Sequence, residues 1–372
     1  MIAPPKQEAG QLPKAGGQPS TAVDLSIVIV NWNSAGYVRQ CVKAVQLNPP
    51  ACAYEMVVVD SGSFDECGEM LGREFPAVRF VQSQANAGFA SGNNLGAEQA
   101  RGRVLLFLNP DTEVVGNALD RLFKTLNRLP DAGLVGARLL NSDRSLQTSC
   151  VQSFPTILNQ VLDAEWLRRI FPRSSFWGMK PLFGETLMPP PVEVISGACI
   201  MIKRSIFECV SGFDERYFMY SEDLDLCYRV RQAGFDCLFV PDAQIVHHGG
   251  GSSASARSMF SNVMTRESVF RFLKLHRGRP VAWGYRAAMG ISSLIRLPLI
   301  AVLNGAKKLT SKKPRKGSFR KWIAILRWSV GLESWAKKKS GGIKGVEQPG
   351  GGENQNPAAS SGGPDAKRSC VA

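Results

Sequence analysis

Between Leu25 and Leu129 short apolar runs alternate with stretches of helical periodicity, and that alternation constrains the fold more than any other feature of the chain. Leu25–Val30 (LSIVIV), Met56–Val59 (MVVV) and Val104–Leu108 (VLLFL) are apolar almost throughout, the pattern of strands buried on both faces. Val78–Val81 predicts a further strand. Tyr37, Val38, Cys41, Val42 and Val45 fall at helical spacing before Pro49, and Ser91–Ala100 and Ala118–Leu129 predict two more helices. Strands and helices in this order predict an α/β fold with a doubly wound, mostly parallel central sheet.

A chain of 372 residues with 44% apolar side chains has room for one large core and appendages, since single cores stop growing near about 250–300 residues. The net charge of +14 raises the question of nucleic acid or membrane, and its distribution answers it. Residues 266–339 carry 19 Lys and Arg against Glu267 and Glu333, which leaves the remainder of the chain slightly acidic. The main domain, expected over residues 24–275, is therefore near neutral, and the charge belongs to a region expected over 276–339. Residues 1–23 and 340–372 are rich in Pro, Gly, Ser, Gln and Ala and read as disordered tails. Nine cysteines at irregular spacing, without a CxxC pair, fit a reduced cytoplasmic protein.

In open sheets of this kind ligands bind beyond the carboxyl ends of the strands. The residues there are Asn31–Asn33, Asp60–Ser63, Asn86–Asn94 and Asn109–Asp111. Each alone reads equally as an ordinary loop or helix cap, but four such clusters in register point to a ligand. Asp60 ends a strand before Ser61-Gly62-Ser63, where a carboxylate can accept from the imide N–H of uracil or thymine. Asp111, in Asn109-Pro110-Asp111-Thr112, is an oxygen donor suited to a hard cation, although N-P-D is also a common turn. Two of only three histidines, His247 and His248, precede Gly249-Gly250-Gly251-Ser252, and pairing them with Asp111 favours a metal site. Tyr220-Ser221-Glu222-Asp223-Leu224-Asp225 opens a helix closed by Gly234. Ser221 suits its N-cap, Asp225 and Arg229 an i,i+4 ion pair, and a carboxylate kept ionised by the helix dipole suits a general base.

Taken in order, VDLSIVIVNWN, VVVDSGSFD, NAGFASGNN, LFLNPDT, LLNSDRSLQTS, SGACIMIKRSIFECVSGFDERYFMYSEDLDLCYRVRQAGF and IVHHGGGSS resemble family 2 glycosyltransferases of the GT-A fold, particularly their rhamnosyltransferase-like branch. The resemblance spans about residues 24–275. It implies an inverting transferase with Asp223 as catalytic base positioned by Glu222, and a divalent metal, Mg2+ or Mn2+, held by Asp111 and His247. It also implies a donor site, for a dTDP- or UDP-sugar, drawn from Asn31, Asn33, Asp60, Ser63, Asp65, Asn86, Gly88, Asn93, Asn109, Asp111 and Gly197. Three positions depart from the family pattern: Asn109 replaces the first acid of the DxD motif, Ser61 the Asn of VDNGS, and Arg144 a frequent Gly.

Residues 281–304 are apolar but carry Arg286, Arg296 and Pro298, which disfavour a spanning helix and favour one lying in the membrane interface. Residues 307–339 mix basic clusters with Trp322, Ile323, Ile325, Leu326, Trp328 and Trp335, a composition expected to be held by anionic lipid. The partners expected are therefore a nucleotide-sugar, a lipid-linked or envelope glycan acceptor and an anionic membrane surface, and not nucleic acid. Trp166, Phe171, Phe176, Trp177 and Phe183 are candidate acceptor contacts, with ordinary packing the competing role. A non-catalytic nucleotide-sugar-binding or scaffolding protein is the rival reading, and a nicotinamide-dependent oxidoreductase is disfavoured because no GxGxxG follows the first strand.

Overall fold

The structure, a computed structural model, describes residues 22–163, 165–184, 188–249, 259–309 and 316–339. The expected tails, apart from residues 22 and 23, and Gly250–Ser252 of the glycine run lie outside the described residues. The strands are β1 (Leu25–Asn31), β2 (Tyr54–Ser61), β3 (Arg79–Ser83), β4 (Val104–Leu108), β5 (Thr112–Val114), β6 (Ala132–Leu140), β7 (Val151–Gln152), β8 (Pro191–Val192), β9 (Val194–Ile195), β10 (Cys199–Lys203) and β11 (Asp236–His247). The helices of the same region are α1 (Ala35–Leu47), α2 (Cys67–Glu74), α3 (Phe89–Gln99), α4 (Ala118–Arg128), α5 (Ile157–Val161), α6 (Glu165–Ile170), α7 (Arg204–Cys209) and α8 (Glu222–Gln232). Beyond them come α9 (Met259–His276), α10 (Arg279–Leu309), α11 (Lys316–Ser329) and α12 (Ser334–Lys339).

The central sheet has the order β3-β2-β1-β4-β10-β6-β11-β5, with β8 added beside β11. Strands β1 to β4 are mutually parallel, and β6 and β11 are parallel to each other; β10 runs antiparallel between β4 and β6. β1 lies between β2 and β4, so the chain reverses its direction of travel across the sheet there, and the crevice beyond their carboxyl ends is where this topology places a ligand. Reversal of β10 has a specific consequence. Its first residue, Cys199, pairs with the last residue of β4, Leu108, so Gly197 and Ala198 join Asn109 on the same sheet edge. The Asn109 N–H donates to the Ala198 carbonyl at 3.0 Å.

Close packing behind that edge explains the glycines of NAGFASGNNLG. A Cβ on Gly92 would lie 2.8 Å from Val30, and one on Gly96 would lie 2.3 Å from Val28, so glycine lets α3 lie directly on the sheet. Arg144 sits at φ +64° in the tight turn after β6, the left-handed region that glycine prefers. A non-glycine residue there costs about 1–2 kcal/mol, while glycine loses about 0.5–1 kcal/mol more backbone entropy on folding. Arg144→Gly is expected to stabilise the protein by about 0.5 kcal/mol, read as a higher urea midpoint; a lower midpoint contradicts it.

The C-terminal helices differ from expectation. Trp322, Ile325 and Trp328, assigned above to lipid, are buried, and α11 packs on α9 and α10. The Trp328 indole N–H donates to the buried Glu267 carboxylate of α9 at 2.8 Å, and Trp335 stacks on Phe260. Apolar and aromatic surface is satisfied equally well by protein or by lipid, and here protein takes this face. Arg286 and Arg296 do not interrupt α10. Arg286 lies over Trp328 and donates to the carbonyls of Trp328 and Ser329 at the end of α11, and Arg296 lies over Trp322 and donates to the Val161 carbonyl. The helix also runs through Pro298. Its opposite face stays open: Trp283, Ile291, Leu294, Ile295, Leu299 and Val302 are each more than half exposed.

Candidate active site

Asn31, at the end of β1, organises the first wall of the crevice. It is fully buried, and its Nδ2 donates to Asp60 at 2.7 Å, to Ser63 at 3.2 Å and to Asp65 at 3.2 Å, while its Oδ1 accepts from the Ser34 N–H and hydroxyl. The structure thus places Asn31 beneath the binding surface rather than on it. Asp65 accepts from the Ala35 N–H at 2.7 Å, capping α1, where the helix dipole favours a negative charge. Asn33, at φ +51°, accepts from the Phe64 N–H and donates its own N–H to Ser63. Asp60 also accepts from the Ser63 N–H at 2.9 Å and from Gln82 at 2.7 Å. Burial acts to raise its pKa, but these hydrogen bonds together hold it below the ordinary value, so the carboxylate is ionised. Two aromatics at this wall were not singled out in the sequence: Trp32 and Phe64 are both exposed, and Phe64 stands almost entirely in solvent.

The second wall comes from the turn into α3. Asn86 accepts from the Gly88 N–H, and a Cβ on Gly88, at φ +91°, would stand 2.2 Å from the Phe218 carbonyl oxygen. Only glycine fits there. The Phe89 N–H donates to that same carbonyl, and Asn94 pairs with both backbone groups of Phe213, so α3 fixes the segment that leads into Glu222 and Asp223. Asn93 is buried and donates to the Phe89 carbonyl within its own helix, which makes it a packing residue here.

At the centre of the sheet edge Asp111 and His247 meet, 3.3 Å apart, because antiparallel β5 pairs Thr112 with His247. Gln147 lies 2.8 Å from His247 Nδ1 through its Oε1, so the ring donates there and presents Nε2 toward Asp111 and Asn109. Orientation of a metal-binding imidazole by a hydrogen bond on its far nitrogen is the usual arrangement. Asn109 Oδ1 is buried without a hydrogen-bond partner among the described residues. One carboxylate, one oriented imidazole and an orphaned amide oxygen are donors of the kind that suit a divalent cation. No group of three or more His, Cys, Asp or Glu gathers among the described residues, so a closed protein cage is absent there. His248 has a different role: it bridges Glu113 at 2.9 Å and Ser142 at 2.8 Å.

The acidic pair meets the same edge at Gly197. Asp223 is half-buried and accepts from the Gly197 N–H and the Leu224 N–H, both at 2.8 Å. A Cβ on Gly197 would stand 3.3 Å from that of Asp223, so a small residue there allows this approach. The helix dipole expected to keep a carboxylate ionised here acts against desolvation. Burial pushes both carboxyls up, and the proximity of Asp223 pushes Glu222 well above the ordinary range. Glu222 Oε2 has no hydrogen-bond partner among the described residues, whereas Asp223 has two backbone donors, so Asp223 is the member of the pair whose charge the structure stabilises. Ser221 departs from expectation. It makes no side-chain cap, and with Tyr220 it sits at positive φ, +67° and +70°, backbone strain placed directly before the pair. Asp225 and Arg229 pair at 2.6 Å as the spacing implied, and His276 of α9 adds a second partner at 2.6 Å.

Among the aromatic acceptor candidates, Trp177 is buried under Arg168, Phe176 and Phe183 are half-buried, and Phe171 is exposed; the Trp166 side chain lies outside the described residues.

A mixed sheet whose edge carries an acid-and-histidine group and, through Gly197, an acidic pair defines a nucleotide-sugar transferase domain of the GT-A type. The chain belongs to glycosyltransferase family 2, whose model, "Glycosyl transferase family 2", matches residues 26–211; within it the chain falls in the rhamnosyltransferase-like branch and is a glycosyltransferase. It is 28% identical over 291 residues to the N-acetylglucosaminyl-diphospho-decaprenol L-rhamnosyltransferase of Mycobacterium tuberculosis (strain H37Rv), covering 72% of this chain and 91% of that one. Rhamnosyltransferase WbbL of Escherichia coli (strain K12) is 25% identical over 263 residues, covering 68% and 93%. The fold is shared with the mannosyltransferase PcManGT from Pyrobaculum calidifontis, solved in complex with GDP-Man and Mn2+, at a TM-score of 0.50 and 17% identity over 85% of this chain and 89% of that one.

Proposed function

We propose that the protein is an inverting rhamnosyltransferase that uses a dTDP- or UDP-linked donor, dTDP-rhamnose foremost, and glycosylates a hydroxyl of a lipid-linked or cell-envelope glycan. The observation that carries this reading is Asp223, pinned by the Gly197 N–H on the sheet edge that also holds Asp60, Asp111 and His247. Support for the sugar and the acceptor comes from the two relatives named as rhamnosyltransferases, one of which acts on a diphospho-decaprenol. Transfer of another hexose is the alternative, since no single residue here reads the sugar.

In this reading Asp60, with the turn through Ser63, receives the base, and Asn86 and Gly88 line the ribose side. Asp111 and His247 would hold a divalent cation, Mg2+ or Mn2+, which when bound neutralises charge on the departing diphosphate. Asp223 takes the proton from the acceptor hydroxyl as that oxygen attacks the anomeric carbon from the face opposite the diphosphate, which inverts the centre. Glu222, protonated, adds no second negative charge beside it.

α10 supports a place at the cytoplasmic membrane surface. Arg279–Asn304 is long and apolar enough to cross a membrane by length and composition. One side of it packs on α9 and α11 and the other is exposed, the asymmetry of a helix lying on a membrane rather than through it.

Thermal unfolding with dTDP-, UDP- and GDP-sugars, each with and without Mn2+, tests the donor. A ligand at about 100 times its Kd adds about 2.7 kcal/mol, roughly 5–10 °C for a domain of this size. The expected result is stabilisation by dTDP-rhamnose that requires the metal and is lost in Asp111→Asn. Indifference to every nucleotide-sugar overturns the reading.

A further inference from the structure

A cavity of about 440 Å³ lies outside the site described above, between α9, α10, α12 and the segment that carries Arg216. Its lining is cationic: Arg216, Arg271, Lys274, Arg279, Arg286 and Lys337 surround it, with Glu267 as the acid in the wall. Two of these cations are already engaged. Arg216 forms a paired contact with Asp214, and Arg286 is held by carbonyls and the Trp328 ring. Arg271, Lys274, Arg279 and Lys337 make no ion pair or side-chain hydrogen bond among the described residues, and Arg271 Nε is shut off from solvent without a partner. Glu267 does not neutralise them all, and one of its oxygens accepts the Trp328 indole. Lys274, Arg279 and Lys337 are exposed and Arg271 is half-buried, so their summed positive field draws an anion toward the cavity.

The remaining lining points to what carries the anion. Phe270, Leu275 and Trp283 complete the pocket. Trp283 begins the exposed apolar face of α10, on which Ile291, Leu294, Ile295 and Val302 follow within about 120° of arc. A cluster of cations opening onto an apolar stripe matches a phosphate at the head of a hydrocarbon chain. Charge selects among such lipids: four unpaired cations suit a diphosphate better than the single charge of a phosphodiester headgroup. The wall residue Arg216 lies on the segment that runs directly into Glu222 and Asp223.

We infer that this pocket binds the diphosphate of a polyprenyl-diphosphate-linked acceptor and that the exposed face of α10 receives the start of its hydrocarbon chain. The inference rests on the lipid-linked acceptor reading above and adds to it the residues that hold the lipid.

The test uses the full chain and phosphatidylcholine vesicles that carry a polyprenyl diphosphate, or phosphatidylglycerol at matched surface charge. Flotation is expected to show tighter binding to the diphosphate vesicles. Lys274→Gln/Arg279→Gln should weaken that binding roughly thirty-fold, taking about 1 kcal/mol for each cation. Stabilisation by the nucleotide-sugar should be unchanged in the variant, which also reports that it is folded. Equal binding to both vesicles at matched charge, or a variant that keeps its preference, overturns the pocket. Failure of the acceptor reading looks different: the wild-type chain then glycosylates a water-soluble glycan and ignores polyprenyl-diphosphate glycans altogether.

Discussion

Asp223→Asn is expected to lower turnover by about 10³-fold, within the 10²–10⁴ range that general-base catalysis supplies, while the nucleotide-sugar still binds. The amide keeps the size of the carboxylate and its oxygen can still accept from the Gly197 N–H, while its NH2 takes the place of the oxygen that accepts from Leu224. What it lacks is a lone pair basic enough to take the hydroxyl proton. The same change should raise stability. A carboxyl whose folded pKa lies above its unfolded value contributes stability below the unfolded pKa and loses it as pH rises through the folded pKa. Asp223 and Glu222 are both raised by burial, so at neutral pH the pair opposes folding, and Asp223→Asn removes that opposition. Higher thermal stability together with lost transfer is the signature of a catalytic acid pair; wild-type turnover, or a destabilised variant, contradicts it. The acid limb of the kcat profile should likewise lie above the ordinary aspartate range, because Asp223 must ionise before it can accept the proton.

Asp225→Ala, two residues along the same helix, is expected to do the reverse. Asp225 is almost fully buried and carries His276 at 2.6 Å, Arg229 at 2.6 Å and the Tyr217 hydroxyl at 3.3 Å. Removing it strands the Arg229 guanidinium without its counter-charge and leaves the His276 ring without its hydrogen-bond partner, and breaking a buried pair in this way costs about 3–5 kcal/mol. For a domain of this size that corresponds to a fall of roughly 10 °C in Tm. The pH dependence has the opposite sign to that of the acidic pair. Burial acts to raise the Asp225 pKa, but His276 and Arg229 together hold it below the ordinary value. Its contribution is therefore present above the unfolded pKa and is lost as pH falls through the folded one, below about pH 4. Unfolding curves for wild type and Asp225→Ala should converge in that acid range; a pH-independent difference, or none, contradicts the assignment.

Much of the fold was legible because burial on both faces leaves continuous apolar strands. β1, β2 and β4 appear where those runs predict them, and the helix expected over Ser91–Ala100 forms as Phe89–Gln99. The reversal of β10 was not legible, since the run Cys199–Lys203 looks the same whichever way its strand points. Yet that reversal brings Gly197 to Asp223. The polar clusters after each strand were visible as clusters, but the sequence could not rank their members. Asn31 and Asn93 prove fully enclosed, whereas Gln147, which orients His247, lay within LLNSDRSLQTS with nothing in that segment to single it out. The basic C-terminal region shows the same limit. Its composition predicts that aromatic faces seek an apolar environment, and burial by α9 or by lipid satisfies that demand equally.

The sequence by itself determined the alternation of buried strands and helices, the sheet edge that carries polar side chains, and the location of the positive charge, because periodicity and composition are local quantities. Packing decided which carboxyl of Glu222 and Asp223 receives backbone donors, which aromatics of α11 meet protein, and which four cations of α9, α10 and α12 line one cavity. Each of those depends on desolvation and on charges brought together from distant parts of the chain, and neither quantity exists until the chain has packed.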